Sequence, residues 1–215
     1  MVDVSILFSV SLDEASFAQD VTKLLFTRDD WPSVVSDLLR SISDKELIRL
    51  ANLHPEPEDI QPRSICIAAN SSATVVINWF DVAEYSRLAS LKKQSAHRHH
   101  FDFGARILRG GYVQWLFINE GDLTIPKLRF GKQMKCAVGD GYYLPHSAFH
   151  HVFAPEPGTV TLMVRSPLRT PVERSRRIVN PPQLSEEKAM VLELLDRLPS
   201  LPAKRPSDCR VDDTR

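Results

Sequence analysis

The chain has no surplus of charge of either sign: 27 lysines and arginines stand against 27 acidic residues among 215. A protein that tracks a phosphate backbone needs a basic excess, and no basic recognition helix of the helix-turn-helix kind is visible. Nucleic acid is therefore not expected as a partner. Long apolar runs are missing too; nothing approaches the roughly 18 residues of a membrane span. The opening MVDVSILFSVSLDEASFAQD lacks a basic n-region and meets Asp13 and Glu14 at once, so neither a membrane segment nor a cleaved leader is expected, and a cytoplasmic location is. Cysteine is scarce: Cys66, Cys136 and Cys209 are far apart and odd in number, which excludes a disulfide framework and a thiolate zinc site. What remains, 43% hydrophobic and 25% charged residues, is globular composition with length enough to bury a core.

Histidine is unevenly spread. Six of the seven (His97, His99, His100, His146, His150, His151) fall between positions 97 and 151. Scattered structural histidines would not concentrate in one quarter of the chain.

The first 63 residues read as helical. Ser11 and Glu14 have the form of a capping box, and Phe17, Val21, Leu24 and Leu25 then recur at helical spacing. Asp30-Trp31-Pro32 looks like a second helix start, with Val34, Val35, Leu38 and Leu39 as its stripe; Ser43 and Glu46 repeat the capping pattern before Leu47, Ile48 and Leu50. The run HPEPEDIQP forbids continuation. From Ser64 the pattern becomes SICIA, ATVVINWF, HRHHFDFGARIL, GYVQWLFI, LTIPKLRF, KQMKCAV, GYYLP, HHVFA and TVTLMVR. These are short segments rich in β-branched and aromatic residues, parted by turn formers. About nine strands so spaced predict a mainly β sandwich or barrel over 64–167. Residues 168–199 read as a basic, Pro-punctuated crossing segment followed by an amphipathic helix started by Ser185; 200–215 read as a polar, disordered tail.

Within HRHHFDF, residues two apart in a strand share a face, so His97 and His99 project together, with Phe101 and Phe103 on the same side. That spacing lets one strand present two metal ligands, and GDGYYLPHSAFHH offers a third, His150, after a turn at 145–147. Alone, an H-x-H pair is more often a pair of surface or core histidines. Read with the second segment it is more. His97-x-His99 is followed by Gly111, and Gly139 by five residues, Pro145, one residue, Ser147, two residues and His150. The two motifs, some forty residues apart with strands between, resemble those of the cupins. The resemblance covers about 64–167 and implies a double-stranded β-helix (jelly-roll) barrel clasped by the N-terminal helices and the C-terminal helix.

The chain departs from the family pattern in three places. Leu91 stands where the first motif opens on glycine, Ser147 where the second has its middle glycine, and Gly104 (or Phe103) where the first has its glutamate ligand. Three neutral imidazoles remain, which is similar to the iron sites of cysteine dioxygenase and related thiol dioxygenases. The resemblance implies Fe(II); imidazole itself does not choose among Fe, Ni, Zn, Mn, Co and Cu. It further implies an oxygenase acting with O2 on a small amino-acid-like or thiol substrate. The literal cysteine dioxygenase pattern fails in part: Thr161–Arg165 carries no Ser-His-Tyr relay, and Cys136 lies far along the chain from the first motif. The stretch HHFDFGARILRGGY resembles a broad group of bacterial cupins instead. The competing class is a non-catalytic cupin that binds a small ligand or metal; an open three-ligand site is poorly suited to that, because structural zinc sites are closed.

Other residues take their expected roles from position. Asp102 is a surface or loop-bonding carboxylate, or a ligand if a β-bulge turns it inward. His100 and His151 neighbour proposed ligands and should point away. His146, in the turn, is a candidate gate or proton donor. Arg165, in phase with Thr161 and Met163, either faces the lumen and anchors a substrate carboxylate or makes an external ion pair. Tyr112, Tyr142 and Tyr143 are strand residues of which one is placed to donate to bound oxygen; Phe101, Phe103, Trp115 and Phe149 read as pocket walls. Apolar stripes on the terminal helices suggest a homodimer.

Overall fold

The computed structural model describes residues 16–53, 62–90, 95–169 and 180–197. The expected cap at Ser11, the proline-rich stretch before 62, most of the crossing segment and the tail lie outside them. Three helices open the described chain, α1 (Phe17–Phe26), α2 (Trp31–Ser41) and α3 (Asp44–Leu53). Each buries the stripe its spacing announces: Phe17, Val21, Leu24 and Leu25 in α1, Val34, Val35, Leu38 and Leu39 in α2, Leu47 and Leu50 in α3. Ser43 Oγ accepts the Glu46 N–H at 3.2 Å, the cap expected there.

Eight strands follow among the described residues: β1 (Arg63–Ala69), β2 (Thr74–Trp79), β3 (Phe103–Arg109), β4 (Gly111–Asn119), β5 (Leu128–Ala137), β6 (Gly141–Leu144), β7 (Phe149–Phe153) and β8 (Val160–Arg165). Two expectations are corrected here. LTIPKLRF and KQMKCAV are one strand, β5, because Gly131 forms a bulge opposite the Leu116/Phe117 junction and lets the ladder with β4 continue. Residues 82–90, unassigned in the sequence, form helix α4 (Val82–Ser90), started by Asp81, whose Oδ1 accepts the Glu84 N–H at 3.1 Å.

The strands make two antiparallel sheets, β1-β2-β8-β3-β6 and β5-β4-β7. The molecule is therefore mainly β, as expected, in the form of two separate ladders. One face of the five-stranded sheet, with Val75, Ile77, Leu162 and Val164, packs against α1, α2 and the last helix, α5 (Pro181–Asp196). That helix begins four residues before the expected Ser185, since Pro181 and Pro182 sit in its first turn, where no N–H is required. The other face carries Phe103, Ala105 and Ile107 toward Tyr112, Leu116 and Cys136 of the three-stranded sheet. The stripes that suggested self-association are thus spent on the chain's own sheet.

Candidate metal centre

The site forms where the chain passes between the sheets. Residues 97–102 lie outside any regular strand, with bends at His100 and Phe101, which corrects the expectation of a continuous strand through HRHHFDF. His97 makes an isolated antiparallel bridge with His150 at the start of β7. Each residue's N–H donates to the other's carbonyl, at 2.9 and 2.8 Å. Such a doubly bonded pair sets two side chains abreast on one face, and the ring centroids of His97 and His150 lie 4.6 Å apart. His99, two residues on, points the same way, its Nε2 3.0 Å from Nε2 of His150. One ligand atom from each of His97, His99 and His150 lies within 4.8 Å of the others.

The donor set fits a divalent ion. His97 Nδ1 lies 3.0 Å from the Ser95 carbonyl and His150 Nδ1 3.0 Å from Oε1 of Gln114. Protonated there, both rings offer Nε2 as a lone pair, the arrangement that orients histidine ligands. Two nitrogens each about 2.1 Å from one ion and at a right angle would stand about 3.0 Å apart, which is the His99–His150 separation. Burial, reinforced by His150, His97, Arg165 and His100, holds the His99 imidazole well below its usual range. Burial, with His97 and His151, pushes His150 down to about 3. Both are neutral at pH 7, the form that binds metal.

Around the imidazoles the wall is aromatic. His99 stacks on Phe101 at 5.1 Å and meets the edge of Phe103 at 4.8 Å. Arg165, a buried residue at 8% exposure, pairs with Phe103 across β3 and β8, so the two share the inner face; its guanidinium lies 5.1 Å from the Phe101 ring. Of its two expected positions it takes the inner one. Of Gly104 and Phe103, one faces each way. Gly104 faces the helices, where an added Cβ would fall 2.1 Å from Val21 Cγ1; Phe103 is the inward residue. Ser147 in place of glycine is accommodated because the 145–148 turn needs no positive φ, whereas Gly139, at φ +87°, does.

Other candidates lie elsewhere. Asp102 turns away from the imidazoles: Oδ1 accepts the His146 backbone N–H at 2.7 Å and faces His146 Nδ1 at 2.9 Å, and Oδ2 accepts Arg169 Nε at 2.9 Å. His146 is thus tied to Asp102. Tyr143 belongs to the helix side, 6.4 Å from Phe17, where burial and then Asp102 raise its pKa. Tyr112 and Tyr142 share a hydrogen bond of 2.6 Å between the sheets, and burial drives both phenols upward. His151 stands on the outer face of β7 beside Trp115, at 6.2 Å. His100 uses its carbonyl to accept the Arg169 N–H.

The sequence reading missed Gln114. It is wholly buried, on the inward face of β4 with Tyr112 and Leu116. The alternation of GYVQWLFI, a polar amide in an otherwise apolar row, was the available signal.

No protein-family model matches the chain, and no curated protein matches it. Solved structures similar to it include KdgF from Halomonas sp., at 20% identity and TM-score 0.36 over 55% of this chain and 93% of that one. A putative mannose-6-phosphate isomerase from Ralstonia eutropha aligns at 18% identity and TM-score 0.30, over 54% and 94%. Hydroquinone 1,2-dioxygenase PnpCD, solved with Cd2+ and 4-hydroxybenzonitrile, aligns at 13% identity and TM-score 0.36, over 55% and 71%. Each of these alignments spans little more than half of this chain.

Proposed function

We propose that the chain is a mononuclear metal enzyme of the cupin type, an Fe(II) oxygenase or dioxygenase that uses O2 on a small amino-acid-like or thiol substrate. One observation carries the reading: three imidazoles from two chain segments converge, with no carboxylate among them. His97, His99 and His150 would hold the ion. Bound by three neutral ligands, iron keeps its full charge and open positions, and supplies the O2 and electron-transfer chemistry that side chains lack. Phe101 and Phe103 set apolar rings beside His99. Arg165, buried on the Phe101 ring, puts a fixed positive charge beside His99 and suits the carboxylate of an anionic substrate. Domain limits of 64–167 for the barrel and a cytoplasmic location belong to the same proposal; the expected homodimer, whose helix stripes are buried within the chain, is decided by light scattering.

The test begins with metal analysis of protein purified without added metal, followed by O2 uptake of the iron-loaded chain over a panel of amino acids and thiols. His97→Ala, His99→Ala and His150→Ala are expected to lose most metal and activity, while His100→Ala and His151→Ala keep metal. Retention of metal by His150→Ala would refute the ligand set. An iron form inert across the panel would mark the chain as a binding module.

A further inference from the structure

We propose that Gln114 is the residue through which this site reads a ligand oxygen: its Oε1 holds His150, and its amide N–H group donates to a carboxylate oxygen of the bound molecule. The inference rests on the metal-centre reading and deepens it. If His150 ligates through Nε2, the side whose nitrogen meets His99, its Nδ1 must carry the proton. Only an acceptor can face Nδ1–H, so the carbonyl oxygen of Gln114, at 3.0 Å, is the atom that does. The amide then has one orientation, with Nε2 turned into the space between the sheets.

That nitrogen has no hydrogen-bond partner among the described residues, in a side chain with no exposure to solvent. A buried amide donor left unsatisfied is costly, so an acceptor brought to it is favoured. Gln114 and His150 are diagonal neighbours on the inner face, since Gln114 pairs with Val152 and Leu116 with His150. An oxygen bound beside His150 would therefore meet an N–H group already in position. Arg165 lies on the same inner face in the opposite sheet. The pocket thus offers a fixed charge and a fixed dipole to an anionic ligand.

The test uses the full chain, Co(II) as the probe metal and acetate as the probe carboxylate. Wild type should bind Co(II), and the loaded protein should bind acetate with a change in the cobalt visible band. Gln114→Glu keeps an acceptor toward His150 but loses the donor: its Co(II) affinity should stay within about threefold, while acetate binding weakens by at least about tenfold, the worth of one hydrogen bond to a charged group. Gln114→Leu should lose about tenfold in Co(II) affinity as well. In the Zn(II)-loaded wild type, where no substitution intervenes, the Gln114 side-chain NH2 resonances should shift on adding acetate. Unmoved resonances, acetate binding unchanged in Gln114→Glu, or Co(II) affinity unchanged in Gln114→Leu would each overturn the inference. A wild type that takes up no Co(II) would overturn the metal-centre reading first, and this one with it.

Discussion

Phe103 points inward beside the imidazoles, its ring 4.8 Å from that of His99 and 5.9 Å from that of His150. A carboxylate placed there would lie within reach of an ion held by the three imidazoles. Phe103→Glu should raise the affinity for Zn(II) or Fe(II) by a carboxylate ligand while destabilising the metal-free chain, because an unpaired carboxylate buried among aromatic rings is costly. Thermal melts with and without metal measure both effects: the expected outcome is a lower Tm without metal and a larger rise on loading than in wild type. Equal rises in the two proteins would mean that position 103 does not reach the ion. His97 and His99 were legible because side chains two apart in extended chain share a face, with or without a regular strand. Gln114 was not legible, since an amide matters here only for the imidazole placed against it by the pairing of two distant strands.

At the scale of elements, two joints hold the site in place. Helix α1 lies close on β3 because residue 104 has no side chain; a Cβ there would meet Val21 Cγ1 at 2.1 Å and Leu25 Cδ1 at 3.0 Å. Gly104→Ala should cost about 1–3 kcal/mol, the usual range for overpacking, read as a lower urea midpoint. Val21→Ala in the same chain should recover part of the loss; a double variant worse than additive would disprove that contact as the cause. The second joint is Asp102, which binds the 145–148 turn through His146 and the segment after β8 through Arg169. Burial raises its carboxyl, but the hydrogen bonds from His146 and Arg169 outweigh that and hold it below the usual carboxylate range. A carboxylate whose pKa is depressed by folding stabilises the chain above its unfolded value near 3.9, and that contribution is lost as pH falls through the folded value. Asp102→Asn should therefore cost about 1.5–3 kcal/mol at pH 7, with the gap to wild type closing below about pH 3.9. A gap that stays constant across that range would show that charge is not what holds the joint. The long helices could be read from their stripes. Helix α4 left a shorter trace, since Val82, Tyr85, Leu88 and Ala89 fall at helical spacing over nine residues only; its other sign was the Asp81–Glu84 cap. The bulge that fuses β5 left only a glycine as its trace.

Across the whole molecule the two sheets are unequally covered. The five-stranded sheet is buried on both faces, by helices on one side and the smaller sheet on the other. The outer face of the smaller sheet leaves Phe130 at 51% and Phe153 at 47% exposure, packed around Trp115. His97 and His99 lie on the segment that leads into β3 of the large sheet, and His150 belongs to β7 of the small one. An ion shared by them would join a well-protected half to a poorly protected half. Amide hydrogen exchange should show this as a hierarchy: in the metal-free chain β2 and β8 exchange slowest and β5 fastest, in keeping with local opening where backbone is least covered. On adding zinc, the slowing should concentrate in 97–102, β7 and its neighbour β4, with little change in β2 and β8. Equal slowing everywhere would mean that the halves already open as one. The bridge between His97 and His150 thus has a consequence in time: it is where one sheet's slow opening would become the other's.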